Sequence, residues 1–300
     1  MNLVIFLKRN LRRLAYRFVS SQIQLVLKPF GYGKPGAHSS SVPKSHHYLH
    51  SKSWDAFAGL HKMPSNKYWL ESKRFNQSVK DGESVLWITY PALSYLEKID
   101  FTKLSCVEFG SGASTFWFAA RCQNFKSFEF DSDYFRLLTE IPTLENAILV
   151  DSSGLINYLT KAEQDLDKYQ TYLNRDLDNK DMGRTLPNVD GKLMGQNLVT
   201  KIRQEIASAD CVFIDGGPRN FLIALAAELL KSEALLVIDN TDLDYLQLSL
   251  GALKSNGFRE IPFVGFGPLN DYEWQTSIFI KSLEPLDLVK LDGSKIKHFK

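Results

Sequence analysis

The sequence predicts an α/β protein with a doubly wound, mostly parallel sheet, preceded by a basic helical extension. Short apolar segments alternate with helix-forming segments from about residue 85 to residue 281, as they do in such sheets. Gly110 and Gly112 lie where the first buried strand turns into a helix. Acidic residues follow several predicted strands, and the carboxyl ends of parallel strands meet at the edge where ligands bind.

The first 80 residues differ in charge from the rest of the chain. They hold 14 lysines and arginines against two acidic residues, whereas the other 220 residues hold 22 against 32. We therefore predict an extension at 1–80, a main domain at 81–282 and a tail at 283–300. A basic segment favours an anionic partner: a membrane surface, a polyanionic glycan or a nucleic acid. The alternative is that it lies on the acidic remainder of the chain.

Residues 1–30 predict a basic amphipathic helix, followed by a linker rich in Gly, Pro, Ser and His at 31–53. Leucines recur at helical spacing, and five lysines and arginines between residues 8 and 17 fall mostly on the other side. The apolar runs are too short to span a bilayer, which needs about 20 residues. The charges follow the first apolar run, unlike those of a signal peptide. We expect the helix to bind an anionic membrane surface or a partner, or else its own domain.

The glycine-rich turn is the first candidate binding site. Leu104 to Phe109 has the pattern of a buried strand, and a helical segment begins near Phe116. Glycines between them permit unusual φ values and close approach of a ligand, and the helix start offers free N–H groups. Glu129 lies in the next predicted strand, 19 residues after Gly110. That spacing suits a carboxylate that accepts hydrogen bonds from ribose hydroxyls.

Three further apolar segments predict buried strands with polar side chains at their carboxyl ends. The polar segment 155–208 separates the third and fourth strands; it is either a lid or acceptor-binding element or a passive surface segment. Phe258–Phe263 and Glu273–Ile280 have no long helix between them and predict a closing antiparallel pair. The polar residues after the three strands are Asp151 with Ser152, Asp215, and Asp239 with Asn240.

These features together resemble class I S-adenosylmethionine-dependent methyltransferases. The resemblance covers about residues 85–281 and rests on Glu-Phe-Gly-Ser-Gly-Ala-Ser-Thr at 108–115, Glu129, Ile-Asp-Gly-Gly at 214–217 and Val-Ile-Asp-Asn at 237–240. It implies a seven-stranded sheet in the order 3-2-1-4-5-7-6, with the last strand antiparallel. The chain is also similar to bacterial methyltransferase-like proteins associated with surface glycan or lipid modification. The expected activity is therefore O-methylation of a small-molecule, glycan or lipid-linked acceptor by a cytoplasmic enzyme at the inner face of the membrane.

The resemblance also implies where S-adenosylmethionine binds. Glu108, Gly110 and Gly112 would line its methionine and ribose portion, and Glu129 would bind the ribose hydroxyls. Asp151 and Ser152 would lie beside the adenine. The full set of expected cofactor-binding residues is Glu108, Phe109, Gly110, Ser111, Gly112, Ser114, Thr115, Glu129, Phe130, Asp151, Ser152 and Asp215.

Three other functions fit parts of the pattern. An NAD-dependent oxidoreductase would need a third glycine where Thr115 stands. A nucleic-acid methyltransferase could use the basic segment to bind phosphates. However, the chain lacks an Asn/Asp-Pro-Pro-Tyr motif, and the apolar residues of the first helix suit lipid or protein, so nucleic acid is not the expected partner. A peripheral membrane or assembly protein could keep the fold without turnover.

The strand-end acids are the candidate catalytic residues. A sulfonium methyl group is already electrophilic, so the protein must align and activate the acceptor. No histidine lies between residues 71 and 280, which leaves Asp215 and Asp239 as candidate bases. Together with Asn240 they resemble the Asp…Asp-Asn set of metal-dependent catechol-type O-methyltransferases, and their oxygens suit Mg²⁺. Alternatively, Asp215 orders its turn and the other two cap a helix. Arg219 could bind an acidic acceptor or pack on a neighbouring carboxylate.

Overall fold

The computed structural model describes residues 67–75, 77–141, 144, 147–151, 155, 167–178, 192–270 and 272–283. The predicted basic helix and linker, Ser152 and almost all of the predicted tail lie outside these residues. The chain divides into two compact units. One unit comprises Met1–Glu83 with Pro268–Tyr272, and the other comprises Ser84–Gly267 with Glu273–Lys300. The domain boundaries expected from composition stay predictions.

The described part of the smaller unit is built on one short helix and a hairpin. The Glu71 carboxylate accepts hydrogen bonds from the backbone N–H groups of Asp81 and Gly82 at 2.9 and 2.6 Å, which holds the hairpin turn against the helix. Trp69 is buried and donates its indole N–H to the carbonyl of Asn270 at 2.6 Å. The elements are α1 (Lys67–Phe75), β1 (Val79–Lys80) and β2 (Glu83–Ser84).

The larger unit contains a seven-stranded sheet. Its strands are β3 (Ser105–Phe109), β4 (Asn124–Glu129), β5 (Ala147–Asp151), β6 (Cys211–Ile214), β7 (Leu235–Asp239), β8 (Arg259–Gly265) and β9 (Trp274–Ile280). They lie in the order β5-β4-β3-β6-β7-β9-β8, and β9 is antiparallel to both of its neighbours. Renumbered from one, this order is 3-2-1-4-5-7-6. The predicted fold class and strand order are confirmed.

Helices cover both faces of the sheet because its central strands are apolar on both sides. One core cluster joins Val107 of β3 to residues of the helices that follow β5, β6 and β7. A second cluster joins Cys106, the residue before Val107 in β3, to the helices on the other face. The described helices of this unit are α2 (Tyr90–Leu96), α3 (Ala113–Ala119), α4 (Ser132–Thr139), α5 (Gln170–Asp178), α6 (Lys192–Ser208), α7 (Arg219–Leu229) and α8 (Gln247–Ser255). Among the described helices, none has the length and apolar character needed to cross a membrane.

Two helix starts show how local sequence sets the boundaries. Asp131 caps α4, since its carboxylate accepts the N–H groups of Asp133 and Tyr134 at 2.9 and 3.0 Å. Helix α3 begins at Ala113, three residues earlier than predicted. There the hydroxyl of Thr115 accepts the N–H of Gly112 at 2.9 Å, so the helix begins directly after the glycine turn.

The described parts of the 155–208 insertion belong to the hydrophobic core. The ring of Tyr169 meets that of Phe221 in α7 edge-on at 5.5 Å between centroids. Leu173 of α5 and Ile202 of α6 are also buried in the same cluster. The passive surface interpretation therefore does not hold for these parts of the insertion, which cover one face of the sheet.

Candidate functional site

The carboxyl ends of five parallel strands meet at one edge of the sheet, and each strand ends at, or is followed by, a residue singled out from the sequence. The strands lie in the order β5-β4-β3-β6-β7. Helix α3 follows β3 on one face and α7 follows β6 on the other, so a crevice opens between the two strand ends. The residues at the five ends are Asp151, Glu129, Gly110, Asp215 and Asp239.

The glycine turn after β3 is shaped by the loop after β6. Gly110 has φ +93°, and a Cβ on it would lie 2.6 Å from the Cα of Gly216. The carbonyl of Phe109 accepts the N–H groups of Asp215 and Gly216, both at 2.9 Å. The sequence suggested that Gly110 admits a ligand. The structure shows instead that the missing Cβ of Gly110 makes room for the backbone of the loop after β6.

Glu129 holds the other side of the turn. Its Oε2 accepts the N–H of Ser111 at 3.0 Å, and its Oε1 accepts the N–H groups of Phe130 and Asp131 at 2.8 Å each. Burial raises the pKa of Glu129, and these three N–H groups act in the opposite direction. A carboxylate oxygen has two lone pairs, so Oε2 keeps the capacity to accept a ribose hydroxyl. The ribose-binding role of Glu129 stays a prediction.

Glu108 supports the turn from inside the sheet. Its Oε2 accepts the hydroxyls of Thr115 at 2.7 Å and Ser127 at 2.5 Å. The Thr115 hydroxyl also binds the N–H of Gly112, and the Ser127 hydroxyl lies 2.7 Å from that of Ser111. Thr115, which occupies the position of a third glycine in dinucleotide-binding proteins, is thus a hydrogen-bonding part of this turn.

The carboxyl group of Glu108 is fully buried, and burial changes its pKa. Burial raises its pKa to about 7, with a contribution from the charge of Glu129, while the hydroxyls of Ser114, Ser127 and Thr115 lower it. Its Oε1 has no hydrogen-bond partner within the described part of the chain. Glu108 therefore titrates near neutral pH, far above the range of an exposed glutamate.

Two aromatic residues expected in the cofactor site have their side chains in the core instead. Phe109 is fully buried and packs on Phe128 with ring centroids 5.1 Å apart. The ring of Phe130 packs on Gly217, where an added Cβ would come within 2.4 Å of it. The cofactor contacts expected of these two residues stay predictions. Asp151 is exposed at the end of β5, beside Glu129.

Asp239 is held by the antiparallel strand β9. It is 3% exposed, and its Oδ1 accepts the indole N–H of Trp274 at 2.9 Å and the hydroxyl of Thr276 at 2.5 Å. Burial raises its pKa to about 6, and the two donors and Arg219 act in the opposite direction. The partly buried carboxyl of Asp215 also has a raised pKa, because of desolvation and the charge of Asp239.

Arg219 lies among these strand-end residues. Its Nη1 donates to Oδ1 of Asn240 at 2.8 Å and to the carbonyl of Asp239 at 3.2 Å. Its Nη2 donates to Oδ1 of Asp215 at 3.2 Å and to the carbonyl of the same residue. The side chain is 15% exposed. Of the two interpretations of Arg219, the structure shows packing on a neighbouring carboxylate.

This arrangement does not fit a magnesium ion. Two of the three predicted ligands, Asp215 and Asn240, already bind the Arg219 guanidinium, which would repel a divalent cation. The third, Asp239, accepts two protein donors on one oxygen. Among the residues that the structure describes, no cluster of three or more His, Cys, Asp or Glu side chains could hold a metal ion. The predicted metal site is therefore not supported.

Sequence reasoning missed the polar partners of the site acids. Ser127 binds Glu108, whereas Trp274 and Thr276 bind Asp239. Each of the three lies in a strand next to that of the acid, and none lies in the loop after the acid's own strand. The sequence did contain a signal for these contacts: a hydroxyl or indole side chain within an otherwise apolar strand. A buried polar group of this kind needs a hydrogen-bond partner. Which acid each one binds depends on strand pairing.

Comparisons with known proteins give remote similarities only. Neither a protein-family model nor a curated protein matches the sequence. Among solved structures, precorrin-6y C5,15-methyltransferase from Geobacter metallireducens has 16% identity and a TM-score of 0.39 over 63% of this chain and 86% of that chain. Fibrillarin from Aeropyrum pernix, with natively bound S-adenosyl-L-methionine, has 12% identity and a TM-score of 0.36 over 62% and 72%. Spermidine synthase from Thermotoga maritima has 10% identity and a TM-score of 0.38 over 69% of this chain and 62% of that chain.

Because these TM-scores are below 0.5, the fold is assigned from the sheet of this chain alone. By its own strand order, the fold is Rossmann-like, with the seven-stranded arrangement of class I methyltransferases.

Proposed function

We propose that this protein is an S-adenosylmethionine-dependent methyltransferase. The observation that carries the proposal is the turn at the end of β3, where Gly110 has a left-handed φ and the Ser111 N–H is bound to the Glu129 carboxylate of the adjacent strand. The glycine turn then lies beside a carboxylate of the kind that accepts ribose hydroxyls, at the carboxyl ends of β3 and β4, and this arrangement supports the proposal.

The sheet order supports this proposal over a dinucleotide-dependent oxidoreductase. In the dinucleotide-binding fold the order is 3-2-1-4-5-6. Here β9 is inserted antiparallel between β7 and β8. Thr115, at the position of the third glycine, binds both Glu108 and Gly112 through its hydroxyl. Substituting glycine there would remove both bonds.

The residues present fit the proposed cofactor. Glu129 would bind the ribose hydroxyls, the turn at 110–112 would contact the methionine portion, and Asp151 would lie near the adenine. S-adenosylmethionine, when bound, supplies an electrophilic methyl group on sulfur. The chain must orient the acceptor and remove a proton from it.

We further propose that the acceptor is a hydroxyl of a small molecule, glycan or lipid-linked substrate, and that Asp215 is the base. Asp215 is the more accessible of the two strand-end acids, with its side chain 26% exposed. Burial and the charge of Asp239 raise the pKa of Asp215, which makes it a stronger base than an exposed aspartate. Asp239 contributes negative charge behind it, and Arg219 fixes its carboxylate.

A ligand panel tests the proposal. The full-length protein would be heated with S-adenosylmethionine, S-adenosylhomocysteine, NAD or NADP, each with and without Mg²⁺. We expect stabilisation by the first two ligands, which binding to the folded state alone produces, and no added effect of Mg²⁺. Stabilisation by NAD alone would overturn the proposal. Binding of S-adenosylmethionine without turnover across a broad acceptor panel would favour the non-catalytic alternative.

A further inference from the structure

The start of helix α7 lacks a cap of its own. The residue before the helix is Pro218, which has no side-chain hydrogen bond to the helix. The first N–H groups of any helix need partners from outside it, and usually the preceding side chain supplies one. In α7 that partner must come from elsewhere in the fold.

Asp176, from helix α5 of the insertion, supplies it. Its Oδ1 accepts the backbone N–H and the side-chain amide of Asn220, and its Oδ2 accepts the backbone N–H of Phe221, all at 2.9 Å. Asp176 is 1% exposed and Asn220 is fully buried. A buried carboxylate at the positive end of a helix is stabilised by these N–H groups and by the helix dipole.

The polar contacts continue into a third helix. Oδ1 of Asn220 accepts the hydroxyl of Ser249 in α8 at 2.9 Å, and Ser249 is fully buried as well. Asp176, Asn220 and Ser249 therefore join α5, α7 and α8 inside an otherwise apolar cluster. A buried network of this kind specifies one arrangement of the helices, because any shift leaves a polar group without a partner.

The first residue of α7 is Arg219, directly before Asn220. We propose that Asp176 is a positioning residue of the strand-end site: by capping α7 from the insertion, it fixes the helix start from which Arg219 holds Asp215 and Asn240. The insertion then acts on the site through the start of α7 and not as a lid over it. The effect on S-adenosylmethionine binding rests on the proposed function, whereas the effect on the helix start does not.

Glu228 provides a matched control at the other end of α7. It also fastens the insertion to this helix, because it accepts Lys168 Nζ at 2.7 Å and the hydroxyl of Tyr169 at 2.5 Å. It lies about 12 Å along the helix from Asn220. Glu228→Gln therefore weakens the attachment of the insertion without altering the helix start.

Hydrogen exchange on the full chain tests the placement without any ligand. We expect Asp176→Asn to raise the exchange rate of the amides in 215–221 by about tenfold or more, and Glu228→Gln to leave them unchanged. Unchanged exchange in Asp176→Asn, or equal loss of protection in both variants, would overturn the proposal. Asp176→Ser, which keeps one oxygen acceptor, replaces Asp176→Asn if that variant does not fold.

A double-mutant cycle tests whether Asp176 acts through Arg219. Dissociation constants for S-adenosylmethionine would be measured for wild type, Asp176→Asn, Arg219→Met and the double variant. We expect each single change to weaken binding about tenfold and the double variant to be no weaker than Arg219→Met alone. Additive effects would contradict the proposal. If the wild type does not bind S-adenosylmethionine, the proposed function is wrong and hydrogen exchange alone decides the role of Asp176.

Discussion

The backbones of Gly110 and Gly216 lie against each other at the carboxyl ends of the adjacent strands β3 and β6. A Cβ on Gly110 would lie 2.6 Å from the Cα of Gly216, and a Cβ on Gly216 would lie 2.8 Å from the Cα of Gly110. The obstructing atoms are backbone atoms, which cannot rotate away. This contact holds the loop with the candidate cofactor turn against the loop with the candidate base.

Gly110→Ala and Gly216→Ala should each destabilise the protein. We expect a loss of more than about 2 kcal/mol in the free energy of unfolding, since an added Cβ forces two loops apart and Gly110 also has a positive φ. Urea unfolding measures it. Gly251→Ala is the control, because Gly251 is in helix α8 with nothing within 4 Å of an added Cβ. A loss below about 0.5 kcal/mol in both site variants would contradict the expectation.

Glu129→Gln should weaken S-adenosylmethionine binding. The amide can accept on only one of its two positions, so at least one of the three backbone N–H groups now held by Glu129 loses its acceptor. Hydrogen bonds to a charged group contribute about 1.5–3 kcal/mol, which corresponds to roughly a 10- to 150-fold rise in the dissociation constant. Isothermal titration calorimetry measures it. Asp133→Asn, at an exposed acid of α4, should bind as the wild type does.

Glu108 should make the protein less stable as the pH rises toward neutral. Its pKa is about 7 in the folded protein against 4.5 for an unperturbed glutamate, so the folded state binds more protons between these values. The stability contribution of Glu108 therefore falls from about pH 4.5 to pH 7. Glu108→Gln removes this dependence and should be more stable than the wild type at pH 8 by about 1–3 kcal/mol. A difference that does not shrink on acidification would show that Glu108 is not responsible.

Asp215→Asn should abolish most turnover while the protein still folds. Loss of a general base lowers kcat by about 10²- to 10⁴-fold, and an asparagine keeps one oxygen for the Arg219 guanidinium. Formation of S-adenosylhomocysteine with an acceptor that the wild type methylates provides the measurement. Chelation of divalent ions should leave the wild-type rate unchanged, because the Arg219 guanidinium binds one side-chain oxygen each of Asp215 and Asn240 and would repel a metal ion there. A rate lost on chelation and restored by Mg²⁺ would refute that view.

Deletion of residues 1–30 should abolish binding to anionic vesicles. The predicted helix combines leucines at helical spacing with five lysines and arginines between residues 8 and 17, and both features favour the surface of an anionic bilayer. Flotation with vesicles containing phosphatidylglycerol measures this, and neutral phosphatidylcholine vesicles are the control. If the truncated protein floats as the full-length protein does, the membrane interpretation of residues 1–30 is wrong.

Local patterns in the sequence were sufficient to predict the fold class, whereas the strand order came from the family resemblance. Alternating apolar strands and helices specified the doubly wound sheet, and the missing helix between β8 and β9 indicated the antiparallel pair. The cap at Asp131 is equally local, since its partners lie two and three residues away. Such features are readable because hydrophobic period, turn residues and helix caps act over a few neighbouring positions.

The chemistry of the site was decided by contacts between distant segments. The sequence placed Asp215, Asp239 and Asn240 at neighbouring strand ends, where a metal was a reasonable expectation, but only the folded chain showed Arg219 bound to two of them. Asp176 lies 44 residues from Asn220. Strand order brings candidate residues to one edge of the sheet. A guanidinium and a divalent ion compete for the same oxygens at that edge. Which of the two cations binds them depends on side-chain directions, and only the packed tertiary structure sets these.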